Sequence, residues 1–242
     1  MAFSFVQAVS ANASGGTSVT TAGISSTTGN LFVCVAGCTS GRSFATPSFT
    51  DSETNSYTDV IDVSNGGARC KQGYVANGAG GAGHTFTANF LTADYAGIIA
   101  SEFVANSGTS LDVFAGGGAG SATTSHASNT TGTTSEAAEL LVGGFNTDDN
   151  AGEPFTPTND WILPTNGYLQ TGNDDTALCY KIVSSVGAYN FTCTTNGSCR
   201  SAMNIGTFKE AAGGGGGDPE GSLLGGKLLR GGLLRHGVLG RS

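Results

Sequence analysis

Apolar and polar residues alternate over short stretches across most of the chain, and clusters of glycine, Asn, Asp and Ser separate the stretches. Phe3–Val9 and Thr17–Ile24 alternate with a period of two, Phe3, Phe5 and Val19 marking faces, and "NASGG" reads as the turn between them. Leu31–Cys38 is apolar on both sides, the pattern of a strand central in a sheet. Short strands are predicted at Ser48–Thr50, Tyr57–Val63 and Ala68–Ala76, with turns at the Asp51–Asn55 cluster and at Asn65–Gly67. A glycine-rich break leads to His84–Phe90, where Phe86, Ala88 and Phe90 share a side, and Tyr95–Ala105 is a second central strand. Leu111–Phe114 is a short piece, and residues 115–135 form a Ser/Thr/Gly-rich loop with one Thr-rich edge strand. Glu139–Thr147, Thr176–Ser185, Gly187–Thr195 and Arg200–Glu210 complete the set. Some eleven to thirteen short strands and no helical periodicity predict an all-β fold, read as a two-sheet antiparallel β-sandwich over residues 1–211.

The end of the chain follows a different rule. After the glycine-rich residues 212–220, a linker, large aliphatic residues come in pairs every five positions: Leu223 and Leu224, Leu228 and Leu229, Leu233 and Leu234, Val238 and Leu239. A 3.6-residue helix would drift off these pairs, and a flat strand would split each pair between its two faces. The pattern predicts that residues 221–242 are an arm that orders against a partner as strand, coil or extended segment. A self-contained coil and a disordered tail are the other readings. Leu, Val and the flanking Arg230 and Arg235 are the expected anchor.

Composition narrows the partners. The formal net charge is −8. Residues 1–217 carry sixteen acids and six bases, whereas residues 218–242 carry two acids and four bases, so the body is acidic and the arm basic. An acidic body is a poor partner for nucleic acid, and the arm suits an acidic protein surface, a second copy of the body included. The first residues lack a basic n-region, so no secretory signal is expected, and no eighteen-residue apolar run suggests a membrane span.

Little in the chain reads as catalytic. The motifs of serine hydrolases, zinc proteases and phosphate-binding loops are missing. His84, His126 and His236 fall in a strand start, a Ser/Thr-rich loop and the arm, so any Ser-His-Asp set would have to be assembled from distant parts. No catalytic residue and no metal site is predicted. Asp51, Glu53, Asn55 and Asp59 could supply oxygens to Ca²⁺, but the cluster lacks a full calcium-loop spacing and reads first as a polar turn. Six cysteines permit up to three bridges, and Cys193 with Cys199 flanks "TTNGS" as a pair that could face across a hairpin. Glycan binding would use exposed aromatics, for which Trp161, Tyr168 and Tyr57 are the candidates. Trp161, in a proline-framed loop, reads first as a core plug and second as a binding residue.

The run "GNLFVCVAG", Asp51, Ser52, Asn55 and Tyr57 in "SFTDSETNSYTDV", and then Glu102 and Phe103 ending a later central strand resembles a jelly-roll-like β-sandwich module of bacteriophage structural proteins and bacterial surface proteins. Thr54 stands where that pattern has glycine. The arm is similar to pentapeptide repeats, with Gly221, Gly226, Gly231 and His236 two positions ahead of each aliphatic pair. The resemblance implies a non-enzymatic virion subunit: a capsid decoration, head-fibre or tail-associated protein, anchored by the arm with the sandwich exposed. Its partners would be other virion proteins and further copies of itself, a trimer suiting a three-fold position. A carbohydrate-binding adhesin and a bacterial surface, secreted or filament subunit are the alternatives.

Overall fold

The computed structural model describes residues 3–39, 41–148, 154–170 and 174–210. The chain divides into two units, Met1–Ala211 and Ala212–Ser242, and the second, with the whole predicted arm, lies outside the described residues.

All regular structure among the described residues is strand: β1 (Ser4–Thr20), β2 (Leu31–Thr39), β3 (Ser43–Asp51), β4 (Thr58–Asn65), β5 (Ala68–Val75), β6 (Phe86–Val104), β7 (Ser110–Gly117), β8 (Thr123–Ala127), β9 (Ala138–Thr147), β10 (Thr156–Pro157), β11 (Tyr168–Gln170), β12 (Asp175–Ser184), β13 (Thr192–Cys199) and β14 (Ser201–Lys209). They form three sheets. The largest has six strands in the order β1-β6-β2-β5-β4, with β3 also on β6. The second has the order β11-β12-β9-β14-β7, and the third is β10-β13-β8.

The fold is therefore all-β, but the expected two-sheet, jelly-roll-like sandwich is wrong. Its failure begins with two strands that the alternation pattern cut in half. The "NASGG" segment does not end a strand: Gly15 and Gly16 take positive φ and absorb a register shift, and β1 runs on for 17 residues. β6 likewise continues from Phe86 to Val104, 19 residues. The second half of β6 lies between β1 and β2, while its first half pairs with the end of β1 and with β3. The overhanging half folds back over the sheet, which is nearly closed into a barrel. It encloses a core of its own in which Phe32, Phe49, Phe86, Phe90 and Ile98 meet.

A second core fills the space between the two larger sheets, with Leu31, Val33, Val35, Ile99 and Phe103 on one side and Leu140, Val142, Leu178 and Phe208 on the other. The backbones come close here. Gly37 of β2 faces Asn146 of β9, and a Cβ at that glycine would overlap the carboxamide. The third sheet, with Phe155, Trp161 and Phe191, covers the outer face of the five-stranded sheet and seals a third core against Leu141, Phe145, Cys179, Met203 and Ile205. Strands β2, β9 and β14 are thus buried on both faces for almost their whole length. Each large side chain so covered contributes about 1.5–3 kcal/mol.

Candidate functional site

The predicted glycan-contacting aromatics separate. Trp161 is 6% exposed, packs on Phe191 with ring centroids 4.8 Å apart, and donates its Nε1–H to the Asn190 carbonyl at 3.2 Å. It is a core plug. Tyr57 packs against the first core and its hydroxyl donates to Asp51 Oδ2 at 3.0 Å; burial pushes the phenol well up. Tyr168 alone borders open space. It stacks on Phe155 (5.4 Å, 16°) in the wall of a cleft of about 300 Å³ formed with Pro154, Leu163, Pro164 and Asn166. A second depression, of about 500 Å³, is floored by the stacked pair Phe5 and Tyr180 (5.1 Å) and rimmed by Ile162 and Ile182.

All six cysteines are buried thiols. Cys193 and Cys199 lie on one strand, β13, on either side of the excursion in which its pairing to β8 lapses. Cys193 is pushed well up by burial, with Cys179 and Cys199 near enough to add to the effect. Cys199 Sγ lies 3.6 Å from His126 Nε2, and His126 Nδ1 meets Ser201 Oγ at 2.9 Å. Burial lowers the His126 pKa. Among the described residues no group of three or more His, Cys, Asp or Glu is placed to hold a metal ion. In the cluster proposed for Ca²⁺, Asp51 is turned to Asn55, Tyr57 and His84, and Asp59 faces Lys71.

The structure does assemble one Ser-His-Asp set from distant parts. His84 Nδ1 lies 2.7 Å from Ser26 Oγ, and its Nε2 lies 3.1 Å from Asp51 Oδ2. The imidazole is fully buried, stacked on Phe86 at 4.2 Å and edge-on to Phe32 at 5.1 Å. Ser26 Oγ also accepts the Gly81 N–H at 3.2 Å, and the Ser26 N–H donates to the Gly81 carbonyl at 3.0 Å. With Asn55 Oδ1 accepting the Ala79 N–H at 2.8 Å, this network moors the glycine-rich segment 78–83 to β3 and to the turn before β2. Its hydrogen bonds are spent inside the fold, and its evident work is to hold that segment.

A Lys-Asp-Glu cluster leaves no mark in the sequence, because its members are 27 to 97 positions apart. Lys209 of β14 sits opposite Glu139 of β9 in the strand register, and Asp112 joins them from β7 on the other side. Lys209 Nζ is 2.9 Å from Asp112 Oδ1 and donates to Ser135 Oγ at 2.9 Å. Ser135 in turn donates its N–H and its hydroxyl to Asp112, each at 2.6 Å. Burial works upward on the Asp112 carboxyl, but the Ser135 and Lys209 hydrogen bonds prevail and hold it well below the usual carboxylate range. Glu139 is fully buried; burial raises its pKa, and the adjacent Asp112 carboxylate adds to the rise. Two carboxyls are thus driven apart beside one amine.

Compared with known protein families, with curated proteins and with solved structures, the chain matches none. The likeness to a jelly-roll-like module of phage and bacterial surface proteins, and that of the arm to pentapeptide repeats, is therefore not sustained: no family matches, and the three-sheet architecture differs from the module's.

Proposed function

We propose that the protein is a non-enzymatic structural subunit of a virion, a capsid decoration, head-fibre or tail-associated component, joined to its assembly through residues 221–242 with the three-sheet body displayed. One observation carries this reading: eight aliphatic residues in period-five pairs, behind a glycine linker and with a charge opposite to that of the body. The three cores are closed without residues 221–242, so these side chains are not needed to complete them. Covering even half of them at about 1.5–3 kcal/mol each would anchor a subunit, despite the entropy lost in ordering the glycines. Six buried thiols agree with assembly in a reducing compartment before release. The test is fractionation of native material on a density gradient. The full chain is expected to band with virus particles, and a chain ending at residue 217 to stay at the top of the gradient with its β-rich circular dichroism intact. Recovery of the full chain with cell envelopes, or banding of the shortened one with particles, overturns the reading.

A carbohydrate-binding role is a second reading, resting now on the Tyr168 cleft alone. Glycan-array binding that disappears in Tyr168→Ala supports it, and an array blank at high protein concentration removes it.

A further inference from the structure

We propose that Lys209 and Asp112 condense into an intramolecular amide that ties β14 to β7, with Glu139 carrying the protons. The amine and carboxyl are already 2.9 Å apart and held there, because Ser135 fixes both oxygens of Asp112 and also accepts from Lys209 Nζ. A pair so oriented has the proximity that makes an otherwise slow bond formation effectively unimolecular. The Asp112 side chain is 6% exposed and that of Lys209 32%.

The third member is what separates this pair from an ordinary ion pair. Glu139 is 0% exposed, its Oε1 accepts the Glu136 N–H at 3.2 Å, and its carboxyl lies against Thr207 and the Asp112 carboxyl. A carboxylate buried beside a second carboxylate is costly, and a neutral carboxylic acid, which can donate to its neighbour, is the cheaper form. Its raised pKa agrees. Among the described residues the other Lys–Asp ion pairs are more open. Lys71 meets Asp59 at 2.8 Å, but that aspartate side chain is 52% exposed, and Lys181 meets an Asp160 side chain that is 94% exposed.

The step balances without an oxidant or a cofactor. The uphill step comes first: against the contacts that favour the ion pair, the Lys209 ammonium passes one proton along its hydrogen bond to the Asp112 carboxylate, leaving a neutral amine and a neutral acid. The Nζ lone pair then attacks Cγ, forming the C–N bond and a tetrahedral centre. Glu139 gives its proton to the departing hydroxyl and takes one from the nitrogen, ending as it began. The C–O bond breaks, and one ammonium and one carboxylate have become one amide and one water.

Intact-mass spectrometry of the full chain tests this directly. The expected mass is one water below that of the sequence, with a proteolytic map that joins the peptides containing Lys209 and Asp112. Lys209→Arg keeps the positive charge but cannot form this amide, so it is expected at its full mass. Glu139→Gln keeps the shape but carries no exchangeable acid, and is expected largely at full mass when the wild type is fully condensed. A wild-type chain at its full sequence mass, or a water lost elsewhere on the map, overturns the proposal. Complete condensation in Glu139→Gln overturns the role given to Glu139.

Discussion

The clearest contrast between single residues is Trp161 against Tyr168. Trp161 stands in the proline-framed segment and Tyr168 just after it on β11, yet one fills the third core and the other lines a cleft. Trp161→Ala is expected to cost about 3–5 kcal/mol of unfolding free energy, the range for removing a large aromatic from a core. Tyr168→Ala should cost a fraction of that, and urea titration of the two variants measures the difference. His126 gives a pH dependence of definite sign. Its folded pKa lies below its ordinary 6.5 because burial disfavours the imidazolium, so the unfolded chain binds more protons in that range. Its contribution to stability is present above pH 6.5 and is lost as the pH falls from there toward the lowered folded value. A stability profile in which His126→Gln removes part of the slope below pH 6.5 is the expected result, and an unchanged slope would show that the ring does not report on folding. The buried thiols make a third expectation. Burial takes Cys38 up to about 12 and drives Cys34, Cys70 and Cys179 higher still. Iodoacetamide at mildly alkaline pH should therefore leave them unmodified until denaturant is added.

Among the elements, those covered on both faces should be the last to exchange their amides. Hydrogen exchange is expected to be slowest in β2, β9 and β14 and fastest in the short edge pieces β10 and β11. Fast exchange in β9 would contradict the three-layer packing. Of these, β2 was legible as central in the sequence, since "LFVCVAG" carries apolar residues on both faces, whereas β9 and β14 were legible only as strands. The continuity of β1 and β6 was not legible. Gly15 and Gly16 look like a turn in sequence, and only the pairing partner decides whether two positive-φ glycines end a strand or bulge it. Strand register was equally hidden. Nothing in the spacing of Asp112, Glu139 and Lys209 shows that β9, β14 and β7 lie side by side, and Ser26, Asp51 and His84 are gathered by the rolled sheet alone. Trp161 reads first as core in the sequence, and the structure places it there, but a proline-rich loop does not show which sheet it covers.

Over the described body as a whole, the three cores are not separable. The six-stranded sheet borders the first and second, and the five-stranded sheet borders the second and third. Unfolding of one should expose a face of the next, so a single cooperative transition is expected. The one tryptophan makes this measurable, because its fluorescence reports the third core only. Its denaturation midpoint should coincide with that of the far-ultraviolet circular dichroism, and two distinct midpoints would mean that the third sheet melts by itself. The position of β14 has a mechanical consequence. β14 is the last described strand, and it is hydrogen-bonded on both sides along most of its length. A pull on the C-terminal segment along that strand would load its rungs together in shear instead of parting them one by one. The body would then resist traction at the very end through which it would be tethered.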